Sequence, residues 1–151
     1  MRAWSDYVVA EIESLAGNAG SAERHYLRAV DLARDVGGTF LVGVASVGLV
    51  ALRGKTGRVT DALRGYRDVV DHFARTGNWT HLWPALRNLA DLLRRLGDPG
   101  PAAVLDSAAD ASSDAPAVDR AVRPPSTPAV SISRAEVLRV ARDAIERNLS
   151  R

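Results

Sequence analysis

Val59-Thr60-Asp61-Ala62-Leu63-Arg64-Gly65-Tyr66-Arg67-Asp68-Val69-Val70-Asp71-His72-Phe73-Ala74-Arg75 sets its large apolar residues, with Ala62, at 59, 62, 63, 66, 69, 70 and 73. Steps of three and four place all of them on one side of an α-helix. The other side carries Arg64, Arg67, Asp68, Asp71 and Arg75. Arg64 with Asp68 and Asp71 with Arg75 stand four apart, a spacing worth roughly 0.2–0.5 kcal/mol per pair. This reads as a solvated face and not as a site.

Working outward, the same periodicity predicts helices over Trp4–Ala16, Ser21–Val36, Thr39–Arg53, Arg58–Arg75, Thr80–Leu96 and Pro101–Ala111. Each ends at glycine or a polar turn: Gly17-Asn18-Ala19-Gly20, Gly37-Gly38, Gly54-Lys55-Thr56-Gly57, Gly77-Asn78 and Gly97-Asp98-Pro99-Gly100. Glycine closes helices because it adopts left-handed backbone geometry without a steric penalty. Connections this short favour antiparallel neighbours. Gly20, Gly57 and Gly97 each follow a leucine-bearing helix end, giving a period of 37 and then 40 residues. Helix pairs repeating at such a period cannot bury both faces alone and must stack. The expected architecture is all-α: a TPR-like α-solenoid of antiparallel helix pairs, with about seven helices. Thr39–Leu52 is apolar nearly all round, as a helix with neighbours on several sides would be, and Gly43, Ser46 and Gly48 would let those neighbours approach closely.

After Ala111 the composition turns to Ala, Pro and Ser, ending in Arg123-Pro124-Pro125-Ser126-Thr127-Pro128, which cannot hold a helix. Ser133-Arg134-Ala135-Glu136 then opens a last helix with a capping-box pattern. Its stripe is Val137, Leu138, Ala141, Ala144, Ile145 and Leu149. The division is therefore a repeat domain of three helix pairs over 1–111, a linker over 112–132 and a capped helix over 133–151. The last helix would fold back on the repeats or dock elsewhere, including onto a second copy as a homodimer.

Composition narrows the function classes. The absence of Cys excludes disulfides, thiolate metal sites and a thiol nucleophile. Met1-Arg2-Ala3-Trp4-Ser5-Asp6 lacks the basic and then apolar character of an export signal, so a cytoplasmic location is expected. The longest uncharged stretch, Thr39–Leu52, is shorter than the ~20 residues of a membrane-spanning helix. Nineteen Arg against one Lys suggests a high-GC bacterial genome. Residues 1–57 carry six basic and six acidic groups, 58–112 seven and seven, 113–151 seven and five. The net +2 thus comes from the tail, and the mixed signs argue against a nucleic-acid groove.

No catalytic constellation emerges. Gly54-Lys55-Thr56 resembles the end of a phosphate-binding loop, but position 49 is Leu where that motif needs Gly. His25, His72 and His81 fall on separate helices without metal-ligand spacing. No enzyme activity and no cofactor are expected. Trp79-Thr80-His81-Leu82-Trp83 concentrates two of the three tryptophans at one helix start, with Pro84 expected in the first turn. Trp79, Trp83, Arg87 and Asn88 are candidates for a partner-binding surface on a concave face. The competing reading makes the aromatics internal packing, since buried aromatics dominate cores as readily as interfaces.

The run Gly77-Asn78-Trp79-Thr80-His81-Leu82-Trp83-Pro84-Ala85-Leu86-Arg87-Asn88-Leu89-Ala90-Asp91-Leu92-Leu93-Arg94-Arg95-Leu96-Gly97, with Ala102-Ala103-Val104-Leu105 and Ala108-Ala109 after it, resembles a known family. It is similar to the carboxy-terminal TPR-like region of bacterial signal-transduction ATPases and of LuxR- or SARP-type transcriptional regulators, including ATPase-linked nucleotide cyclases. The likeness extends more loosely over 7–111. Asp106 and Ser107 depart from the Leu-Gly expected there. The family's ATPase, cyclase and DNA-binding parts lie in other domains, so the resemblance implies a regulatory module that binds a protein partner or the ATPase part of a regulator. A small-molecule sensor with its effector near Trp79 and Trp83 is the alternative.

Overall fold

The computed structural model describes residues 1–117 and 131–151. Among them the chain forms seven α-helices and no strand: α1 (Arg2–Leu15), α2 (Ala19–Asp35), α3 (Thr39–Lys55), α4 (Val59–Thr76), α5 (Trp79–Arg95), α6 (Pro99–Ala111) and α7 (Arg134–Leu149). Of the stretch expected as a linker, 118–130 lie outside the described residues. No helix among the described residues is long and apolar enough to cross a membrane.

The five turns joining α1 to α6 share one construction. Gly17, Gly37, Gly57, Gly77 and Gly97 hold φ of 82°, 69°, 85°, 68° and 78°. The residue after each donates its amide to the carbonyl five positions back: Asn18 to Glu13 at 2.8 Å, Gly38 to Ala33 at 2.7 Å, Arg58 to Arg53 at 2.9 Å, Asn78 to Phe73 at 3.0 Å and Asp98 to Leu93 at 2.9 Å. This wraparound bond satisfies a helix-end carbonyl and needs a left-handed residue between its partners. The turns recur every twenty residues. Alternate turns, at Gly17, Gly57 and Gly97, are thus forty residues apart, which corrects the first expected interval of 37 and leaves the second at 40. Gly20 lies inside α2, past its Asn18 N-cap, and takes no part in closing α1.

The chain divides into two compact units, Met1–Gly65 and Tyr66–Arg151, with the boundary inside α4. In the first, α1 packs on α2, α2 on α3, and α1 also touches α3. The contact surfaces are lined with small residues. Ala10 and Ala22 join Tyr26, Leu49 and Leu52 in one cluster, Ala3 and Ala33 join Leu41 in another, and Ala29, Val30 and Ala45 form a third. Short side chains bring helix axes close, since interaxial distance follows the residues at the contact. Gly48 is part of that approach, because a Cβ there would run into the Tyr26 ring. Burial pushes the Tyr26 hydroxyl well above its usual range, reinforced by its 2.6 Å hydrogen bond to Glu11. Glu23 accepts from Arg53 at 3.0 Å and Arg58 at 2.5 Å, tying α2 to the end of α3 and the turn after it.

The second unit has a larger-grained core. Ten of the seventeen residues of α5 are buried, among them Leu82, Leu86, Leu89, Leu92 and Leu93. Tyr66, Val69, Val70 and Phe73 of α4 are buried as well. Each fully buried residue of this size contributes about 1.5–3 kcal/mol. α5 packs on α6 and α6 on α7. The last helix therefore folds back: Val137, Ala141, Ala144 and Ile145 are buried. Its polar side reaches α4, where Arg142 donates to Asp71 at 2.8 Å and Arg67 to Glu146 at 3.1 Å. Arg147 and Asn148 both donate to Asp98 at 2.8 Å. Burial works to raise the Asp98 carboxyl, but these donors outweigh it and hold it below the usual carboxylate range. The polar side of α4, expected as a solvated face, is in part the landing site of α7.

Two local expectations change. Pro84 is the sixth residue of α5, not in its first turn, so its ring removes the bond that an amide there would make to Thr80. The capping box of α7 is half formed: the Ser133 hydroxyl accepts from the Glu136 amide at 3.1 Å, while the Glu136 side chain turns to Arg139.

Candidate functional site

Trp79, Trp83 and Arg87 stand four apart and share one side of α5. The structure brings the tryptophans together, with ring centroids 5.0 Å apart at 52°. Trp79, Trp83 and Arg87 are 7%, 3% and 8% exposed, and Asn88 is half-buried.

What covers them is the chain's own segment after α6. The Trp83 indole donates to Asp114 at 2.8 Å. The same carboxylate oxygen accepts from the Ser112 hydroxyl at 2.6 Å, and the other oxygen from Arg134 at 2.5 Å. The Arg134 guanidinium in turn lies over the Trp79 ring, 4.7 Å from its centroid, a favourable place for a cation. Arg87 donates to Asp110 at 2.7 Å. Hydrogen bonds from Ser112 and Trp83, with the charge of Arg134, hold the Asp114 carboxyl below the usual carboxylate range. The tryptophan pair is thus the floor of an internal latch that joins α5, the segment after α6 and the start of α7. Packing, the competing reading of this segment, describes that arrangement.

Asp110, Asp114 and Arg134 were not singled out from sequence. They lie 23, 31 and more residues from their partners on α5, and no local periodicity links them. A second polar cluster was also missed. Asp6 is buried on α1 and its carboxylate meets His25 at 2.8 Å and Arg28 at 3.6 Å. Its position between Ala3 and Ala10, on the side of α1 that packs, was the available signal. These contacts form an ion-pair cluster between α1 and α2, with no nucleophile hydrogen-bonded to the His25–Asp6 pair among the described residues.

Among the described residues no group of three His, Cys, Asp or Glu is placed to hold a metal ion. Gly54 and Lys55 lie within the last turn of α3 and Thr56 caps it, with the Thr56 hydroxyl donating to the Leu52 carbonyl at 3.0 Å. The helix leads into this stretch, whereas a phosphate-binding loop needs free amides at a helix start. Comparison with protein-family models, with curated proteins and with solved structures finds no match to this chain.

Proposed function

We propose that this chain is a helical-repeat interaction module, TPR-like in pattern, that binds a protein partner and carries no reaction of its own. The observation that supports this reading is the recurrence of one glycine turn every twenty residues across five helix ends. A chain built by repeating a helix pair gains an extended surface of equivalent helices, and proteins of this construction serve mainly as binding scaffolds. A forty-residue pair is longer than the ~34 of the TPR consensus and within the ~40–47 of other helical repeats. The module is therefore TPR-like with lengthened helices. The sequence likeness of 77–97 to the carboxy-terminal regions of bacterial regulators points to an ATPase or regulator domain as the partner, in the cytoplasm.

The alternative, an effector bound at Trp79 and Trp83, would have to displace Asp114 and Arg134 from the rings. That makes it the weaker reading. Affinity capture from a high-GC bacterial lysate, followed by calorimetry with the purified captured protein, tests the proposal. A regulator or ATPase that binds with defined stoichiometry supports it. Capture of chaperones alone, or heat exchange with a metabolite panel and quenching of the tryptophans, would replace it.

A further inference from the structure

α7 is joined to the fold unlike the other described helices. Glycine turns connect α1 through α6, whereas residues 112–133 lie between α6 and α7. The buried stripe of α7 is Val137, Ala141, Ala144 and Ile145, and the helix packs on α6. Two alanines in that stripe make a narrow apolar footing beside the leucines that α5 buries. α7 also carries its own helix-stabilising devices. Ser133 caps its start, and Arg139 donates to Glu136 at 2.9 Å and to Asp143 at 2.8 Å. These bonds are made within the helix and do not depend on its docking.

The surface under α7 has a definite chemistry. Its rim carries three carboxylates from three places: Asp71 on α4, Asp98 at the N-cap of α6 and Asp114 after α6. They receive Arg142 at 2.8 Å, Arg147 at 2.8 Å and Arg134 at 2.5 Å. One pair runs the other way, with Arg67 of α4 donating to Glu146 at 3.1 Å. The three arginines of α7 are half-exposed, and ion pairs this open to water set direction and register more than they hold a helix down. A charge pattern read at the rim above a small apolar contact is how a groove binds an amphipathic helix.

We propose that α7 is the tethered occupant of a helix-docking groove, and that the protein partner supplies an amphipathic helix of the same chemistry to replace it. The replacing helix carries small or branched apolar residues where α7 has Val137, Ala141, Ala144 and Ile145, and cations where it has Arg134, Arg142 and Arg147. Tethering gives α7 a high effective concentration, so the groove stays closed to weak competitors. Departure of α7 lifts Arg134 from the Trp79 ring, which makes occupancy visible in tryptophan fluorescence. The inference rests on the reading of the chain as a protein-binding module and adds to it the surface used and the kind of helix it takes.

The probe is a labelled peptide of residues 131–151, followed by fluorescence anisotropy. It is titrated into the full chain and into a full-length Arg142→Glu, Arg147→Glu variant, whose own α7 sets carboxylates against Asp71 and Asp98. The peptide should bind the variant and return its tryptophan spectrum to that of the wild type. It should bind the wild type at least roughly tenfold more weakly, since tethered α7 competes there. A peptide with the same two substitutions should bind neither chain. In the wild type, amides of α7 should exchange with solvent sooner than those of α5, through local opening. Peptide binding to neither chain, or equally to both, overturns the proposal. So does an α7 that exchanges no sooner than α5, a result that needs no variant to fold. A captured regulator that still binds after such a failure keeps the interaction reading with its contact elsewhere, while a groove that takes the peptide without any captured regulator keeps this inference alone.

Discussion

The two units use the same glycine turn but reach closure differently. Met1–Gly65 packs α1, α2 and α3 through alanines, with Tyr26 filling the space above Gly48. It leaves an apolar row on α1 in solvent. Tyr66–Arg151 packs leucines and tryptophans around α5 and folds α7 back onto the rest of the unit. Repetition of a helix pair leaves an open apolar face unless something different in kind covers it. In the second unit α7 packs on α6 and buries its own apolar stripe there, and among the described residues the outer row of α1 stays exposed.

The largest test of this contrast is Leu89→Ala. Leu89 is fully buried in the leucine-rich core, and truncation should cost about 2–5 kcal/mol in urea unfolding. If the units unfold separately, that loss should fall on one transition and leave the other in place. The counterpart in the alanine-lined unit is Gly48→Ala, where an added methyl meets the Tyr26 ring and overpacking should cost about 1–3 kcal/mol. Together they show whether small-residue packing or large-residue packing is the less forgiving.

The latch gives smaller effects. Arg134→Ala removes the cation over Trp79 and one donor to Asp114, and the cation–π contact at this half-exposed guanidinium is worth about 0.5–1 kcal/mol. Tryptophan fluorescence should shift while far-UV circular dichroism does not. The smallest effect is in pH. Because the Asp114 carboxyl titrates below its ordinary value in the folded chain, its contribution is complete above about pH 4. It fades as the pH falls through the lower folded value. Wild-type fluorescence should show an acid step that Asp114→Asn lacks, with no change near neutrality.

Much of the helical order was legible because it is local. The starts and ends of α3, α4 and α5 follow from three-and-four spacing and from glycine, which alone takes the left-handed turn at no cost. The first turn was located but its marker was taken as Gly20, because two glycines stand there and only backbone geometry shows that Gly17 has positive φ. Trp79, Trp83, Arg87 and Asn88 fall together in α5, one residue earlier at its start than the spacing indicated, and internal packing was one of the two readings of them, but the groups that pack there were not legible. Their covering groups come from Asp110, Asp114 and Arg134, beyond the reach of any helical period.

By itself, then, the amino-acid pattern determined that this chain is helical, where its helices turn and which residues on each are apolar. Those properties depend on interactions within about five residues. Tertiary structure alone decided that the tryptophans are internal, that α7 settles against α4 and α6, and that the apolar row of α1 stays in solvent. The physical reason is that periodicity shows which face of a helix is apolar, while only the neighbours packed around it decide whether that face is covered.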